Sequence, residues 1–306
     1  MPLSHSLTGL VAATHTPFHA EGSLNVSIVE SQAAHLLANG VATVFIGGTT
    51  GESHSLTLAE RLALSQRWME VAQGTPMRVI VHVGGNCLED ARMLAAQAEK
   101  LGALAISALS PSYFKPRDVK TLVDCAAHIA AAAPSTPFYF YDIPVFTNVS
   151  LSMPAFLEQA RDRIPTLTGV KFSNPDLMAF QLCLRAPGGP WTIPFGSDEY
   201  LLAALALGAT SAVGSTYNVA APIYTRLIAA FEHGDLAAAR EEQFRSVRLV
   251  ELLASHGFMG AMKAVMGMLG VHVGPARLPH SNPSGEQLAK LRADLDALGF
   301  FEWLRP

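Results

Sequence analysis

The hydrophobic positions of this chain form short β-rich runs that alternate with longer stretches of helical periodicity. The runs that predict strands cover residues 10–14, 41–46, 79–83, 104–108, 138–141, 167–171, 192–195 and 211–214. The helical stretches between them cover residues 26–38, 58–72, 88–101, 119–132, 154–160, 176–184 and 199–207. Strands that alternate with helices are typical of α/β folds with a parallel sheet.

The number and spacing of these strands favour closure into a (β/α)8 TIM barrel. The first begins at residue 10 and the eighth at residue 211, which leaves roughly 30 residues for each βα unit. A doubly wound open sheet is the alternative, but no GxGxxG motif follows the first strand. Beyond residue 214 the pattern stays helical, at residues 222–233, 236–256, 259–269 and 287–298. We therefore predict a barrel over residues 1–220 that carries the active site, and a C-terminal helical region over residues 221–306 packed on it.

The composition narrows the class of partner. Half of the 306 residues are hydrophobic, 15% are charged and the net charge is −4, so we expect a large core and no binding to nucleic acid or anionic membranes. The most apolar segment, residues 200–214, is too short to span a bilayer, and the first 18 residues lack the pattern of a signal peptide. The three cysteines lie far apart without metal-ligand spacing. We expect a soluble, cytoplasmic protein that binds a small molecule and no metal.

A glycine-rich loop after the second predicted strand has the composition of an anion-binding site. In GGTTGES, residues 47–53, the glycines Gly47, Gly48 and Gly51 can adopt positive φ and let backbone N–H groups approach an anion. Thr49 and Thr50 add hydroxyl donors. Because no GK[ST] follows and no Lys or Arg lies nearby in sequence, a carboxylate fits better than a polyphosphate. We call residues 47–53 the anion loop; an ordinary glycine-rich turn is the alternative.

Two side chains suited to catalysis end neighbouring predicted strands. Lys171 ends the run at residues 167–171, and a lysine desolvated in a barrel mouth favours the neutral amine, which attacks carbonyl carbons. Tyr141 lies 30 residues earlier, one βα unit away, so both side chains could project into one mouth. The pair indicates Schiff-base chemistry with a tyrosine as proton shuttle. A strand end that reaches solvent and a core tyrosine are the plainer alternatives.

The motifs GGTTGE, YDIP, GVK and GSTYN occur in this order and together resemble the dihydrodipicolinate synthase/N-acetylneuraminate lyase family of class I aldolases. The resemblance runs from about residue 9 to residue 279. It implies a (β/α)8 barrel with a C-terminal helical region and a homotetramer built as a dimer of dimers. It also implies a substrate Schiff base on the chain's own lysine, with no dissociable cofactor.

The resemblance assigns the chemistry to the residues already noted. Lys171 would form the Schiff base with the keto carbon of pyruvate or another 2-oxo acid. Tyr141 would relay a proton to and from the substrate hydroxyl. Thr49 and Thr50, with Gly51 beside them in the motif, would hold the carboxylate of the substrate.

A second group would bind the polyhydroxylated tail of a sugar acid, as the resemblance to the lyase branch implies. Carboxylates and hydroxyls accept hydrogen bonds from sugar hydroxyls, and a site built from them rejects substrates that lack those hydroxyls. The residues concerned are Ser173, Gly196, Asp198, Glu199 and Ser215. A helix N-terminus stabilised by acidic residues is the alternative role of the acidic pair at 198–199. Tyr113, in PSYFKP, matches a tyrosine that in many relatives reaches into the neighbouring subunit's site.

Within the family the sequence is closer to the lyase branch than to the synthase branch. The synthases carry an arginine where Phe146 stands, and a phenyl ring cannot pair with a carboxylate in bidentate fashion. The expected reaction is the reversible cleavage of N-acetylneuraminate to N-acetylmannosamine and pyruvate. A 2-keto-3-deoxy sugar-acid aldolase or dehydratase and a non-catalytic sugar-acid-binding paralogue are the alternatives. Asp142 and Asn148 depart from the family pattern, so the loop after Tyr141 could be shaped differently.

Three other features receive a structural interpretation. The methionines of residues 259–270 are spaced as core residues of the C-terminal helices. Lys263 within that run is expected at the surface, or with only its aliphatic stem buried. His82 ends a strand and is expected to form hydrogen bonds at the barrel mouth, because no acidic residue or second histidine beside it suggests a metal site.

Overall fold

The computed structural model describes residues 7–305, and within that range seven parallel strands form a nearly closed ring inside a layer of helices. The strands are β1 (Gly9–Ala13), β2 (Thr43–Ile46), β3 (Arg78–His82), β4 (Ala105–Leu109), β5 (Phe138–Asp142), β6 (Leu167–Phe172) and β7 (Ser211–Gly214). They pair in the order β6-β5-β4-β3-β2-β1-β7. The predicted α/β barrel is confirmed.

The space between β6 and β7 is filled by the segment that the sequence predicts as a strand at residues 192–195. The prediction of a regular strand there is wrong, because the segment forms only isolated bridges, from Thr192 to β6 and from Phe195 to both β6 and β7. Pro194 has no N–H to donate to a ladder, although its carbonyl accepts one bond from β6 at 2.8 Å. The approach is close, since a Cβ on Gly169 would lie 1.7 Å from the Thr192 carbonyl oxygen. These bridges complete the barrel.

The helices cover the outside of the barrel and continue after β7. They are α1 (Val29–Ala38), α2 (Leu58–Ala72), α3 (Leu88–Lys100), α4 (Val119–Ala130), α5 (Pro144–Thr147), α6 (Met153–Ala160), α7 (Leu177–Leu184), α8 (Leu201–Ala206), α9 (Tyr217–Glu232), α10 (Leu236–Ser255), α11 (Phe258–Met268), α12 (Glu286–Leu298) and α13 (Phe300–Trp303). Within the described residues, none of them combines the length and the apolar character needed to cross a bilayer. Helix α9 is kinked at Ala220, where the sequence predicts the boundary between the barrel and the C-terminal region. That boundary stays a prediction.

Both faces of the sheet are buried, which explains why the strands are apolar almost throughout. Alternate residues, such as Val11, Phe45 and Tyr141, fill the barrel interior. The residues between them belong to the core shared by the sheet and the helices, as Val170 and Phe172 of β6 do. Because side chains alternate along a strand, Lys171, which lies between Val170 and Phe172 in β6, faces the barrel axis.

The C-terminal helices pack on the barrel, and one of them, α11, contributes the buried side chain of Lys263. Met259, Met262 and Met266 of α11 are buried, as their spacing predicts. The expectation that Lys263 lies at the surface is wrong, because its side chain is buried and its ammonium is 2.6 Å from a carboxylate oxygen of Glu52. The expectation failed because a local pattern contains no information about a partner that folding brings from the loop after β2.

Candidate active site

A cavity of about 700 Å³ opens at the carboxyl ends of the strands, where the active sites of such barrels lie. The residues predicted for the site that line this cavity are Thr49, Thr50, Tyr141, Lys171, Ser173, Gly196, Asp198, Glu199 and Ser215. The strand ends therefore gather these residues in one mouth. Gly51 and Tyr113, the other two predicted residues, do not line it.

Lys171 is held between two aromatic rings inside the mouth. It lies directly across from Tyr141 in the register of β5 and β6. Its Nζ is 3.5 Å from the centroid of the Tyr141 ring and 4.2 Å from that of Phe45. Burial lowers the pKa of Lys171, while Tyr141 and the charge of Asp198 oppose this effect. Burial thus shifts Lys171 towards the neutral, nucleophilic form of the amine.

Two pairs of hydroxyl groups connect the anion loop to the opposite side of the mouth. The Thr49 hydroxyl is 3.2 Å from the Tyr141 hydroxyl, and the Thr50 hydroxyl is 2.7 Å from that of Ser215. The loop thereby reaches both the tyrosine and the end of β7. Hydroxyl groups in these positions can donate to a carboxylate placed beside Lys171.

His82 supports the anion loop from within the barrel. Its Nδ1 is 2.8 Å from the Gly47 carbonyl oxygen, so this nitrogen carries the proton and donates. Burial lowers the pKa of His82 well below its usual value. Its ring packs edge-on against Tyr141, with 5.8 Å between the centroids. The predicted role of His82 as a hydrogen-bonding residue at the mouth is confirmed.

The glycines of the anion loop serve two different purposes. Gly47 has a φ of +62°, which only glycine adopts without strain. Gly48 and Gly51 have no positive φ, and for these two the expectation from the sequence is wrong. They are needed because of close packing, since a Cβ would lie 2.5 Å from the Phe45 ring at Gly48 and 3.0 Å from the Gly47 amide at Gly51. Gly51 stands behind the cavity and shapes the loop.

Asp198 and Glu199 begin a short 3-10 turn after the 192–195 segment and face the cavity. The Asp198 Oδ2 atom accepts hydrogen bonds from the Thr216 amide at 2.9 Å and from the Thr216 hydroxyl at 2.6 Å. Burial raises the pKa of Asp198, and these two bonds oppose the rise. Burial also raises the pKa of Glu199. Both carboxylates are thus placed to accept hydrogen bonds from a hydroxylated ligand.

Ser173 and Gly196 touch at the same wall. A Cβ on Gly196 would lie 1.9 Å from the Ser173 hydroxyl oxygen, so the serine occupies the space that a larger residue would need. The Ser173 amide donates to the Asp142 carbonyl at 2.9 Å, and the Asn174 amide group donates to the Asp142 carboxyl at 3.0 Å. Burial raises the pKa of Asp142 to about 6. Asp142 therefore supports the Ser173 segment from behind the wall.

The loop after Tyr141 explains one departure from the family pattern. Helix α5 is capped at its C-terminus by Asn148, whose φ of +51° and ψ of 38° place it in the left-handed region. Glycine is the usual residue in that conformation and asparagine is the next most tolerant. Phe146, which is 68% exposed, and Val145 form an apolar rim of the cavity.

Sequence reasoning missed the wall that the C-terminal region contributes. Val250 of α10, Phe258 and Met259 of α11, and His280 line the cavity opposite the strand ends. Nothing in their local sequence distinguishes them from other residues of an amphipathic helix or loop. Thr216 was also missed, although it lies within the GSTYN motif.

Tyr113 lies on the surface of the chain. Its side chain is 76% exposed and packs edge-on against Phe114, which is also exposed. Its backbone N–H donates to the Asn86 side chain at 3.0 Å, which anchors the segment. The role of Tyr113 in a neighbouring subunit stays a prediction. Among residues 7–305, no group of three or more His, Cys, Asp or Glu side chains is arranged to hold a metal ion.

Comparisons with known proteins agree with this geometry. The model of the dihydrodipicolinate synthetase family matches residues 6–298. The chain is 38% identical over 296 residues to an N-acetylneuraminate lyase of Gallus gallus, covering 95% of this chain and 96% of that protein. The solved N-acetylneuraminate lyase of Proteus mirabilis superposes with a TM-score of 0.93 at 40% identity, covering 97% of this chain and 100% of that one. The solved N-acetylneuraminate lyase of Aliivibrio salmonicida superposes with a TM-score of 0.93 at 41% identity, covering 96% of this chain and 98% of that one.

Proposed function

This chain belongs to the dihydrodipicolinate synthetase family, and from that membership we propose that it cleaves N-acetylneuraminate reversibly to N-acetylmannosamine and pyruvate. Its relatives over nearly the full length are N-acetylneuraminate lyases. The chain is accordingly a pyruvate-dependent class I aldolase, a carbon–carbon lyase. The observation that carries the proposal is the buried Lys171, held between two rings beside a loop of hydroxyl donors.

The first step is the attack of the neutral Lys171 amine on the keto carbon of the open-chain sugar acid, followed by loss of water. The resulting iminium withdraws electrons from the C–C bond between the carbon next to it (the α carbon) and the following β carbon. That bond breaks when the hydroxyl on its far side loses its proton, which releases the sugar as an aldehyde and leaves an enamine of pyruvate on Lys171. Protonation of the enamine and addition of water then release pyruvate. The iminium is the electron sink, so this chemistry needs no metal or dissociable cofactor.

Tyr141 is the proposed proton relay. Its hydroxyl lies next to the Thr49 hydroxyl, and its ring covers the Lys171 ammonium. A phenol in this position can take up the proton of the substrate hydroxyl as the C–C bond breaks while it donates its own proton to the Thr49 hydroxyl, which passes a proton to the bound carboxylate. The relay runs backwards in the reverse reaction. The contact with Thr49 orients the phenol towards the mouth.

The two ends of the substrate are recognised by different walls. Thr49 and Thr50 bind the carboxylate next to the keto carbon with hydroxyl and amide donors. The opposite wall binds the sugar tail through Ser173, Gly196, Asp198, Glu199 and Ser215. Because these acceptors are partly buried, a substrate without matching hydroxyls would leave them unpaired and bind poorly.

The test is reductive trapping. Pyruvate and borohydride should add one covalent group to Lys171, found by peptide mass mapping, and Lys171→Ala should abolish both the adduct and turnover. Lys120→Ala is the matched control, because Lys120 is exposed and pairs only with Asp124 on the same helix. Folded wild-type protein without an adduct would overturn the mechanism.

Substrate choice is tested separately by measuring pyruvate release from a panel of sugar acids. N-acetylneuraminate should give the highest kcat/KM. A higher kcat/KM for a 2-keto-3-deoxy sugar acid would mean that this acid is the substrate, and the Schiff-base mechanism would stand. Adduct formation without turnover of any sugar acid would indicate a binding paralogue.

We also propose a homotetramer located in the cytoplasm, in which Tyr113 of one subunit approaches the site of its neighbour. The exposed Tyr113–Phe114 pair supports the contact between subunits. The three free cysteines support the reducing environment of the cytoplasm. Sedimentation velocity should give the mass of four chains, and Tyr113→Ala should lower kcat. A fully active monomer would refute the assembly.

A further inference from the structure

We propose that Glu52 and Lys263 form a positioning pair that sets the anion loop for binding the carboxylate of the 2-oxo acid. Glu52 lines the cavity, but its carboxylate is engaged by Lys263 and by the Arg277 amide, so in this proposal both residues act through Thr49 and Thr50. The inference rests on the proposed function, because it concerns how that same site binds its substrate.

The pair is buried and joins the anion loop, which contains Glu52, to helix α11, which contains Lys263. Lys263 Nζ is 2.6 Å from Glu52 Oε1, and the two side chains are 1% and 0% exposed. The ammonium also donates to the carbonyl oxygens of Thr16 and Pro275, each at 2.9 Å. The ammonium thus donates two hydrogen bonds to carbonyl oxygens and faces the Glu52 carboxylate as an ion pair. The second carboxylate oxygen of Glu52 accepts from the Arg277 amide at 2.7 Å.

These contacts act on the turn that carries the two threonines. Glu52 is the last residue of this turn, and its N–H donates to the Thr49 carbonyl at 2.9 Å. Its φ of +55° is in the left-handed region, which a glutamate adopts only when its surroundings hold it there. The Thr16 hydroxyl, next to a carbonyl that Lys263 binds, donates to the Gly51 carbonyl at 2.6 Å. Lys263 thus holds the turn by two routes.

The chemistry of the pair favours a role in geometry over one in stability. A buried ion pair often adds nothing to stability compared with two apolar side chains of the same size. Its directional contacts can nevertheless select one backbone arrangement. Here they join α11 and the segment around residue 275 to the loop after β2. The C-terminal region therefore shapes the substrate-binding loop as well as covering the barrel.

The groups around the ammonium determine how the pair responds to pH. Besides Glu52 these are His15, Arg277 and the ring of Phe18, which is 4.2 Å away. Burial lowers the pKa of Lys263 to about 8, with Glu52 opposing the decrease, and the pKa of His15 falls to about 3, so His15 is neutral. Above about pH 8 the ammonium loses its proton and the Glu52 carboxylate loses its counterion.

The experiment compares Glu52→Gln, Lys263→Met and the double variant with wild type in the synthetic direction. In the double variant we expect the KM for pyruvate to rise about tenfold to a hundredfold, as for a misplaced binding group. The kcat and the KM for N-acetylmannosamine should change little. The double variant leaves no unpaired buried charge, so it should fold even where Lys263→Met does not. Arg226→Met with Glu242→Gln, a second partly buried pair between α9 and α10, is the matched control and should keep the wild-type KM.

The wild-type enzyme provides an independent measurement. Its KM for pyruvate should rise between about pH 7 and about pH 9 as the Lys263 ammonium loses its proton. In Lys263→Arg, which keeps its charge, the rise should be absent. A folded double variant with a pyruvate KM within twofold of wild type, or a flat wild-type profile, would overturn the proposal. If only the positioning proposal fails, the wild type still forms the Lys171 adduct; if the proposed function fails, it does not.

Discussion

Replacing Thr216 by valine should move the pH dependence of the reaction. The Thr216 hydroxyl donates to Asp198 Oδ2 at 2.6 Å, and the backbone amide of the same residue donates to the same oxygen at 2.9 Å. Valine has the same shape as threonine and keeps the amide donor. Tyr224, which also contacts the Thr216 hydroxyl, retains Ser246 as a partner at 2.8 Å. The carboxylate therefore loses one hydrogen bond, and Tyr224 loses one of its two partners.

The size of the effect follows from that single bond. A hydrogen bond to a charged group contributes about 1.5–3 kcal/mol, and one pH unit corresponds to about 1.36 kcal/mol. Burial already raises the pKa of Asp198, and losing the donor raises it further. Since the ionised carboxylate binds the sugar hydroxyls, the acid side of the kcat/KM profile should move up by about 1 to 2 pH units.

The assay is the rate of pyruvate release from N-acetylneuraminate over the acid and neutral pH range. Tyr224→Phe is the control, because it removes a hydroxyl that contacts Thr216 and leaves the bond to Asp198. Its profile should coincide with that of the wild type. If Asp198 acted only through its charge on Lys171, its protonation would lower the pKa of Lys171, and the kcat/KM profile would move to lower pH. An unchanged or downward-shifted profile in folded Thr216→Val would therefore refute the reasoning.

Three further substitutions test other parts of the site. Tyr141→Phe should lower kcat by about 10²–10⁴ while borohydride still traps pyruvate on Lys171; an undiminished kcat would exclude the proton relay. Gly196→Ala should cost about 1–3 kcal/mol in unfolding free energy, because its Cβ would meet the Ser173 hydroxyl at 1.9 Å. Adding Ser173→Gly should restore part of that stability, and no restoration would contradict the packing. Asn148→Ala should lower the free energy of unfolding by about 1–2 kcal/mol in chemical denaturation, since the φ of this residue is +51°. Asn148→Gly should not lower it, and equal losses in the two variants would contradict the backbone argument.

The prediction of the barrel and of its central pair rested on local rules. Side chains alternate across a strand, and parallel strands in a barrel share one carboxyl end. Tyr141 and Lys171 therefore face the same mouth once their strands are recognised, and the register places them side by side. The prediction of a regular strand at residues 192–195 failed because Pro194 has no N–H for the ladder, a signal that the run itself contains.

The anion loop shows where local reasoning reached its limit. Its composition predicted the two threonine hydroxyls, which do line the cavity. Its backbone was described incorrectly, because Gly48 and Gly51 are required by neighbours that pack against them and not by their φ angles. Close packing depends on which atoms surround a residue, and the sequence of the loop does not contain them.

By itself, the sequence determined the order of strands and helices, the strand ends that carry polar residues and the chemistry those residues could perform. Only the tertiary structure decided that Lys263 is buried, that it meets Glu52 and that Val250, Phe258 and Met259 complete the cavity. The physical reason is the range of the forces involved. Side-chain direction and capping are set within a few residues, whereas burial and ion pairing depend on segments that meet only when the chain is packed.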